Sequence, residues 1–415
     1  MLVRAGERIR LDELDGLRGW ASLSVALYHI CWETFGDAFP AIHNIILGMM
    51  LNGRLAVSIF FVLSGEVLSV AYWGNRDRAG VARMAIRRYS RLTIPIFFSC
   101  LAVYLLMCFG WVHFEAARPI VNNPIMFDQI LAFSPDFAGL MRYSLFDVYI
   151  VRKAQQGVVT YNNFLWTMPT ELIGSFCVFF VLMTERYIKH ALAVVLVAGI
   201  ALVVARSLVG CFMFGIVLGH MHIKGTFAIL RSKRGVPVFS VLAVAGLLVW
   251  VSWLQMRGQN QTGSFTLAAA AVVFCVHVNT GLAGFFRNRV SVVLGRLSFP
   301  LYLVHFPVIV SLTAFGIVWA RDHGGLTPVA AAGIMVVSIL ASLLCAVAFE
   351  PVEWLTRVFG VGLTRLLPMP LIPARVDIDS PAAPQRRHAD GGRHPRLSSV
   401  RQEKGVGADL RRHDG

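Results

Sequence analysis

Apolar runs of membrane-spanning length alternate along this chain with short polar segments rich in arginine. A helical span needs about 20 predominantly apolar residues. On that measure the pattern predicts about ten transmembrane helices, near residues 16–33, 54–72, 92–112, 164–184, 190–205, 207–222, 236–254, 264–283, 299–319 and 328–349. The expected fold class is an all-α polytopic membrane protein. Arg206 separates two short apolar runs, which leaves open either a tight outer turn or one broken helix. The longest connection, about 113–163, is expected outside, either as a cover for an acceptor cavity or as a plain loop.

The distribution of basic residues orients the predicted spans. If residues 1–15 are a cytoplasmic segment, the inside connections hold Lys and Arg in excess of the outside ones by more than two to one. That bias places both termini in the cytoplasm. The first fifteen residues carry both signs of charge and no cleavage pattern follows, so a removable leader is not expected. The membrane domain is read as 16–352 and a juxtamembrane segment as 353–373. From residue 374 to 415 the composition turns to Arg, Gly, Asp and Pro without aromatics, which predicts a disordered cytoplasmic tail.

Composition then narrows the function. Mean hydropathy is +0.65 and charged residues make up only 15% of the chain, against about 25% in soluble domains. The net charge of +15 follows topology rather than a nucleic-acid footprint, because the basic residues alternate with the spans. Seven cysteines fall singly within apolar runs, so neither a disulfide framework nor a zinc-type cysteine site is expected.

Ionisable residues inside spans are costly and mark functional sites by default. Here they are Arg18, His29, Glu66, Glu171, Arg206, His277 and His305, with Glu350 at the end of the last span. In LDGLRGWASLSVALYHI (14–30), Arg18 and His29 are eleven residues apart. A straight helix puts them on nearly one face, about 16 Å apart along its axis, as two depths of one site. Asp15 stands where it would cap that helix. RMAIRRYSRLTIPI (83–96) places Arg87, Arg88 and Arg91 at the inner mouth of the third span. Guanidinium forks suit phosphate, although simple topological anchoring explains the spacing equally well. Arg18 at the same depth favours the phosphate reading, with His29 as a base deeper in the bundle. FFVLSGEVLS (60–69) contributes Ser64, Gly65 and Glu66; small residues there let a backbone or ligand approach closely. WTMPTELIGS (166–175), SFPLYLVHFP (298–307) and FEPVEW (349–354) add Glu171, Tyr302, His305 and Glu350. The HxH of GHMHIKG, His220 and His222, reads as surface histidines rather than a metal site.

Taken in order, these segments resemble the integral-membrane acyltransferase-3 family of bacterial O-antigen and exopolysaccharide O-acetyltransferases. LDGLRGWASLSVALYH is similar to its opening Arg/His motif, FFVLSG to its second-span signature and RRYSRLTIP to its arginine pair before proline. WTMPTE, RSLVGCFMFGIVLG, LSFPLYLVHFPV and FEPVEW resemble its later motifs. Three departures stand out: Glu66 where a bulky apolar residue is usual, Thr167–Pro169 before Glu171, and Phe299–Pro300 in place of Tyr-Ser. No part of the chain reads as the SGNH-type hydrolase domain some members append, so the membrane domain or a partner is expected to complete transfer.

The resemblance implies transfer of an acyl group, most often acetyl, from acyl-CoA to a hydroxyl of a glycan or glycolipid, in the bacterial cytoplasmic membrane. Acyl-CoA is then a cosubstrate, with no metal or bound prosthetic group required, and a polysaccharide-assembly partner is compatible. Arg18, Arg88 and Arg91 are expected to hold the CoA phosphates, and His29 to act as general base or acyl carrier. Glu350 or Glu171 is expected to orient His29. Ser64, Glu66, Tyr302 and His305 are candidates for the acceptor side. Other classes remain in view: a flippase for a lipid-linked sugar, a scaffold acting through its tail, and an acyltransferase for a small-molecule acceptor.

Overall fold

The computed structural model describes residues 12–122, 131–150, 159–259 and 261–366, so the expected tail lies outside the described residues. Among these residues every regular element is helical. Eleven longer helices organise the bundle: α1 (Asp12–Leu27), α2 (Gly53–Asn75), α3 (Arg78–Cys108), α4 (Met168–Thr184), α5 (Ala191–Val204), α6 (Val209–Ile223), α7 (Val236–Met256), α8 (Thr262–Val278), α9 (Arg289–Val308), α10 (Pro328–Ala348) and α11 (Glu350–Leu366).

Local chemistry sets their limits. Asn52, Asp77, Asn288 and Thr327 each present a side-chain oxygen to a backbone N–H in the first turn of α2, α3, α9 and α10. Each cap satisfies a donor that the helix itself leaves open. Arg76, in the left-handed region with φ 56°, reverses the chain between α2 and α3. α9 carries Pro300 and Pro307, and a π-helical turn, Ile309–Thr313, follows directly. Proline removes a backbone donor and crowds the preceding turn, a common reason for a local change of helical register.

Six helical stretches among the described residues are long and apolar enough to span a bilayer, or seven if the bent pair Thr262–Val278 and Thr280–Phe286 counts as one. That pair is bent by 101° at Asn279, whose side chain caps the second piece. Two expected spans, α5 and α6, are shorter apolar helices joined at Arg206 in the left-handed region, so the tight-turn alternative is the one observed. α3 begins well before the expected start at 92, because Asp77 caps it and the arginines ride on the helix rather than precede it. Hydropathy alone ends a span where charge begins, whereas backbone hydrogen bonding continues.

Close backbone approaches hold the centre. At Gly19 an added Cβ would lie 2.4 Å from the Gly295 nitrogen, and at Gly295 2.5 Å from the Asp15 carbonyl oxygen. α1 and α9 therefore touch backbone to backbone. Gly65 and Gly215 do the same for α2 and α6, with a Cβ at Gly215 falling 2.2 Å from the Val62 carbonyl oxygen. Small residues permit such approach, and dispersion then replaces the missing hydrophobic drive inside a membrane. α7 and α10 lie at the periphery: only 17% of the apolar window of each is buried, and Phe239 and Leu344 point outward. The protein is a multi-pass, all-helical membrane protein.

Candidate active site

α1, α2, α3, α4, α9 and α11 enclose a cavity of about 700 Å³. Arg18, Arg87, Arg88, Arg91, Arg296 and Arg357 line it, against Asp12, Asp15, Glu171 and Glu353. Six guanidinium groups facing four carboxylates leave an excess of positive charge at its wall. Its apolar depth is formed by Val57, Phe60, Leu92, Pro95 and Met168, and Thr167 and Tyr302 also line it.

The arginines differ in how they are engaged. Arg18 pairs with Asp15 at 2.8 Å, one turn back on α1, and its Nε is buried without a hydrogen-bond partner. Asp15 lies within α1 and is this ion partner, not the expected cap, because the helix already runs from Asp12. Arg88 is buried and clasped: its guanidinium bonds the Glu171 carboxylate, and its Nε donates to Ser175 Oγ at 2.8 Å. Ser64 Oγ donates to the same Glu171 at 2.8 Å. Arg87 bonds Thr364 on α11, while its Nε lacks a partner. Arg91 is exposed and opens to the cavity.

His29 is built differently. α1 widens into a π-helical turn, Tyr28–Glu33, at this point. Such turns recur at functional sites because they reset which face a side chain occupies. Thr34 Oγ1 donates to the His29 carbonyl at 2.7 Å, satisfying an acceptor in the widened turn. His29 Nδ1 lies 2.5 Å from Glu33 Oε2. A carboxylate accepts only, so Nδ1 carries the proton in that bond and Nε2 of the neutral ring is left as a basic lone pair. The ring stacks on Phe164 at 3.8 Å with an interplanar angle of 15°. His305 completes the group, 4.8 Å from Phe164 and 5.5 Å from His29. His305 Nδ1 donates to the Leu301 carbonyl at 3.0 Å, and its Nε2 is buried without a partner.

Several expected residues therefore change role. The carboxylate paired with His29 is Glu33, one helical turn on, rather than Glu171 or Glu350. Glu171 is committed to Arg88 and Ser64, and Glu350 borders a surface recess that shares Arg296, Glu353 and Arg357 with the cavity but is not itself part of the cavity lining. Glu66 is fully buried against His277 and does not face the cavity, since it lies two residues from Ser64 and hence on another side of α2. Arg18 and His29 do not share the one cavity: Arg18 lines it and His29 does not. The Tyr302 hydroxyl bonds Thr167 Oγ1 at 2.6 Å and the Phe164 carbonyl, and the Tyr302 ring lies 6.0 Å from that of His305.

Glu33, Phe164, Arg296, Glu353 and Arg357 are not among the sequence-predicted site residues, and Thr167 figures there only in the unusual stretch before Glu171. An i, i+4 relation between His29 and Glu33 was a usable signal in YHICWE. α11 offered none, since its contribution comes from packing its amphipathic face against α3. In the long connection, Phe114, Ala117 and Val121 pack with Ile30, Phe35 and Phe306, so this helical segment covers the His29 end of the bundle.

Comparison with known proteins identifies the family. The acyltransferase domain family matches residues 11–347. The chain is 27% identical over 335 residues to acyltransferase MdmB of Streptomyces mycarofaciens, covering 72% of this chain and 79% of that one. It is 23% identical over 359 residues to O-acetyltransferase PaAT-1 of Phomopsis amygdali, covering 72% of each. It is also 23% identical over 344 residues to O-acetyltransferase OatA of Staphylococcus aureus, covering 74% of this chain and 51% of OatA. No solved structure matches the chain. With the family matched over most of its length and a charged cavity and histidine–carboxylate pair inside a helical bundle, the chain belongs to the acyltransferase-3 family and is a membrane acyltransferase.

Proposed function

We propose that the protein transfers an acyl group, acetyl in the first instance, from acyl-CoA to a hydroxyl of a cell-surface or lipid-linked glycan, in the bacterial cytoplasmic membrane. The observation that carries this reading is an arginine-lined cavity with Tyr302 in its wall, the Tyr302 hydroxyl being bonded to the carbonyl of Phe164, whose ring stacks on the His29 of the His29–Glu33 pair. A cosubstrate with phosphates at one end and a thioester at the other needs charge at the mouth and a base beyond it. Arg18, Arg91, Arg296 and Arg357 supply the charge, and the unpartnered Nε of Arg18 and of Arg87 adds donors beside the cavity. Arg88 shapes the site through its clasp on Glu171. A volume of about 700 Å³ lies within the usual range for organic ligands.

In this mechanism the acceptor hydroxyl gives its proton to His29 Nε2 as its oxygen bonds the thioester carbonyl carbon. Glu33 holds the ring in the tautomer that exposes Nε2 and stabilises the imidazolium as it forms. The tetrahedral intermediate then collapses, the carbon–sulfur bond breaks, and CoA leaves as thiolate, taking the proton from His29. The Thr167–Tyr302 contact has to part for the pantetheine arm to reach the base. An acceptor arriving from the opposite side would meet the helical segment Phe114–Val121 over His29.

The test is mass spectrometry of surface glycans from cells with and without the gene, together with release of CoA from acetyl-CoA by the protein in nanodiscs. Transfer is expected to disappear in His29→Ala with the protein still inserted. Unchanged acylation in that variant would remove His29 from the reaction, and an unchanged glycan mass without the gene would overturn the acceptor class.

A further inference from the structure

Outside this site, three metal-ligating side chains from three helices converge. Glu66 of α2, His222 of α6 and His277 of α8 each offer a ligand atom, and these atoms lie within 4.8 Å of one another. Glu66 and His277 are fully buried. Both Glu66 oxygens, both His277 nitrogens and His222 Nδ1 lack a hydrogen-bond partner. His277 Nε2 and Glu66 Oε1 are only 2.7 Å apart, yet they are not aligned as donor and acceptor. Buried polar atoms are almost always satisfied, and an unsatisfied carboxylate inside a membrane bundle is especially unfavourable. Several such atoms around one point call for a shared partner.

We infer that Glu66, His222 and His277 bind a divalent transition-metal ion of the zinc type. Two imidazole nitrogens and one carboxylate oxygen form a three-ligand set with a fourth position open to water. Ligand atoms at about 2.1 Å from a tetrahedral ion stand about 3.4 Å from each other. Glu66 Oε1 and His277 Nε2 stand 2.7 Å apart and the ligand atoms all lie within 4.8 Å of one another, so modest side-chain rotation closes the site. The His277 ring is already held: Phe227 stacks on it at 4.4 Å and 10°, and Arg231 Nε donates to its backbone carbonyl at 2.5 Å. His222 is only half-buried and provides an entry path. Its HxH neighbour His220 is not a ligand; it packs edge-on against Trp73. An ion here ties α2 to α6 and α8, and α2 carries Ser64 on the cavity wall two residues away.

The experiment uses the full-length chain in lipid nanodiscs, stripped with chelator, exchanged into Zn²⁺ or Co²⁺ and dialysed. About one metal per chain is expected by mass spectrometry, with the intense visible absorption of tetrahedral Co²⁺. Glu66→Leu places an apolar residue on a membrane helix and keeps the chain folded; it should weaken Zn²⁺ binding by more than about a hundredfold, as should His277→Gln. Added Zn²⁺ should raise the thermal midpoint of the wild type and leave that of Glu66→Leu unchanged. A monodisperse wild-type chain that takes up no metal overturns the inference. So does Glu66→Leu binding Zn²⁺ with wild-type stoichiometry and affinity.

Discussion

Replacing Glu33 by Gln isolates the pair that organises the proposed chemistry. The substitution preserves shape and removes one charge, 2.5 Å from His29 Nδ1. In the transition state the imidazole becomes cationic, so the lost interaction is that of two unit charges in a partly buried site. At an effective separation of about 4 Å and an effective dielectric near 20, the attraction is about 4 kcal/mol. Accessibilities of 14% for the His29 side chain and 25% for Glu33 admit some solvent screening. The working range then becomes about 2–4 kcal/mol, or roughly 30- to 900-fold in rate. The amide also donates through nitrogen, which lets the ring turn to the wrong tautomer and adds to the loss. Initial rates of acyl transfer at saturating acyl-CoA should fall by that factor, while KM for acyl-CoA moves less than about threefold, because the interaction is made in the transition state. Glu350→Gln is the control and should leave the rate within about twofold, as a surface-recess residue. A Glu33→Gln enzyme within threefold of wild type at equal membrane abundance would refute the reasoning.

Other consequences follow from the same geometry. Arg91→Ala removes a cavity-facing charge and should raise KM for acyl-CoA by about tenfold or more, from the loss of a charge-assisted hydrogen bond worth about 1.5–3 kcal/mol; protection by free CoA should weaken in parallel, and an unchanged KM would take Arg91 out of the donor site. Arg88→Ala leaves the Glu171 carboxylate without its charge partner, with Ser64 alone still donating to it, a loss of about 3–5 kcal/mol, so a lower thermal midpoint is expected, with recovery in the Arg88→Met/Glu171→Leu pair; a single variant as stable as wild type would show that the clasp carries no stability. Gly215→Val forces side-chain atoms into the Val62 carbonyl and should abolish monodisperse protein in size-exclusion chromatography. Wild-type yield and elution would mean that α2 and α6 do not cross at this contact.

The amino-acid sequence by itself determined the class of molecule and the inventory of its chemistry. Apolar run lengths made it helical and multi-pass, since only helices satisfy their own backbone within lipid over such stretches. The costly residues within those runs, Arg18, His29, Glu171, Tyr302 and His305 among them, were legible because a membrane tolerates charge and polarity only where something uses it. Partnership was decided by tertiary structure. A π turn at Tyr28–Glu33 brought Glu33 to His29, which no hydropathy pattern records. Glu171 was drawn to Arg88 because a buried charge takes the nearest complement that packing supplies, and Glu66 was brought beside His222 and His277, whatever the distance along the chain. Helix limits set by caps such as Asp77, and a bend at Asn279, likewise depend on single hydrogen bonds that run lengths do not encode. Residue types fix what a site can do; three-dimensional packing fixes which of them meet.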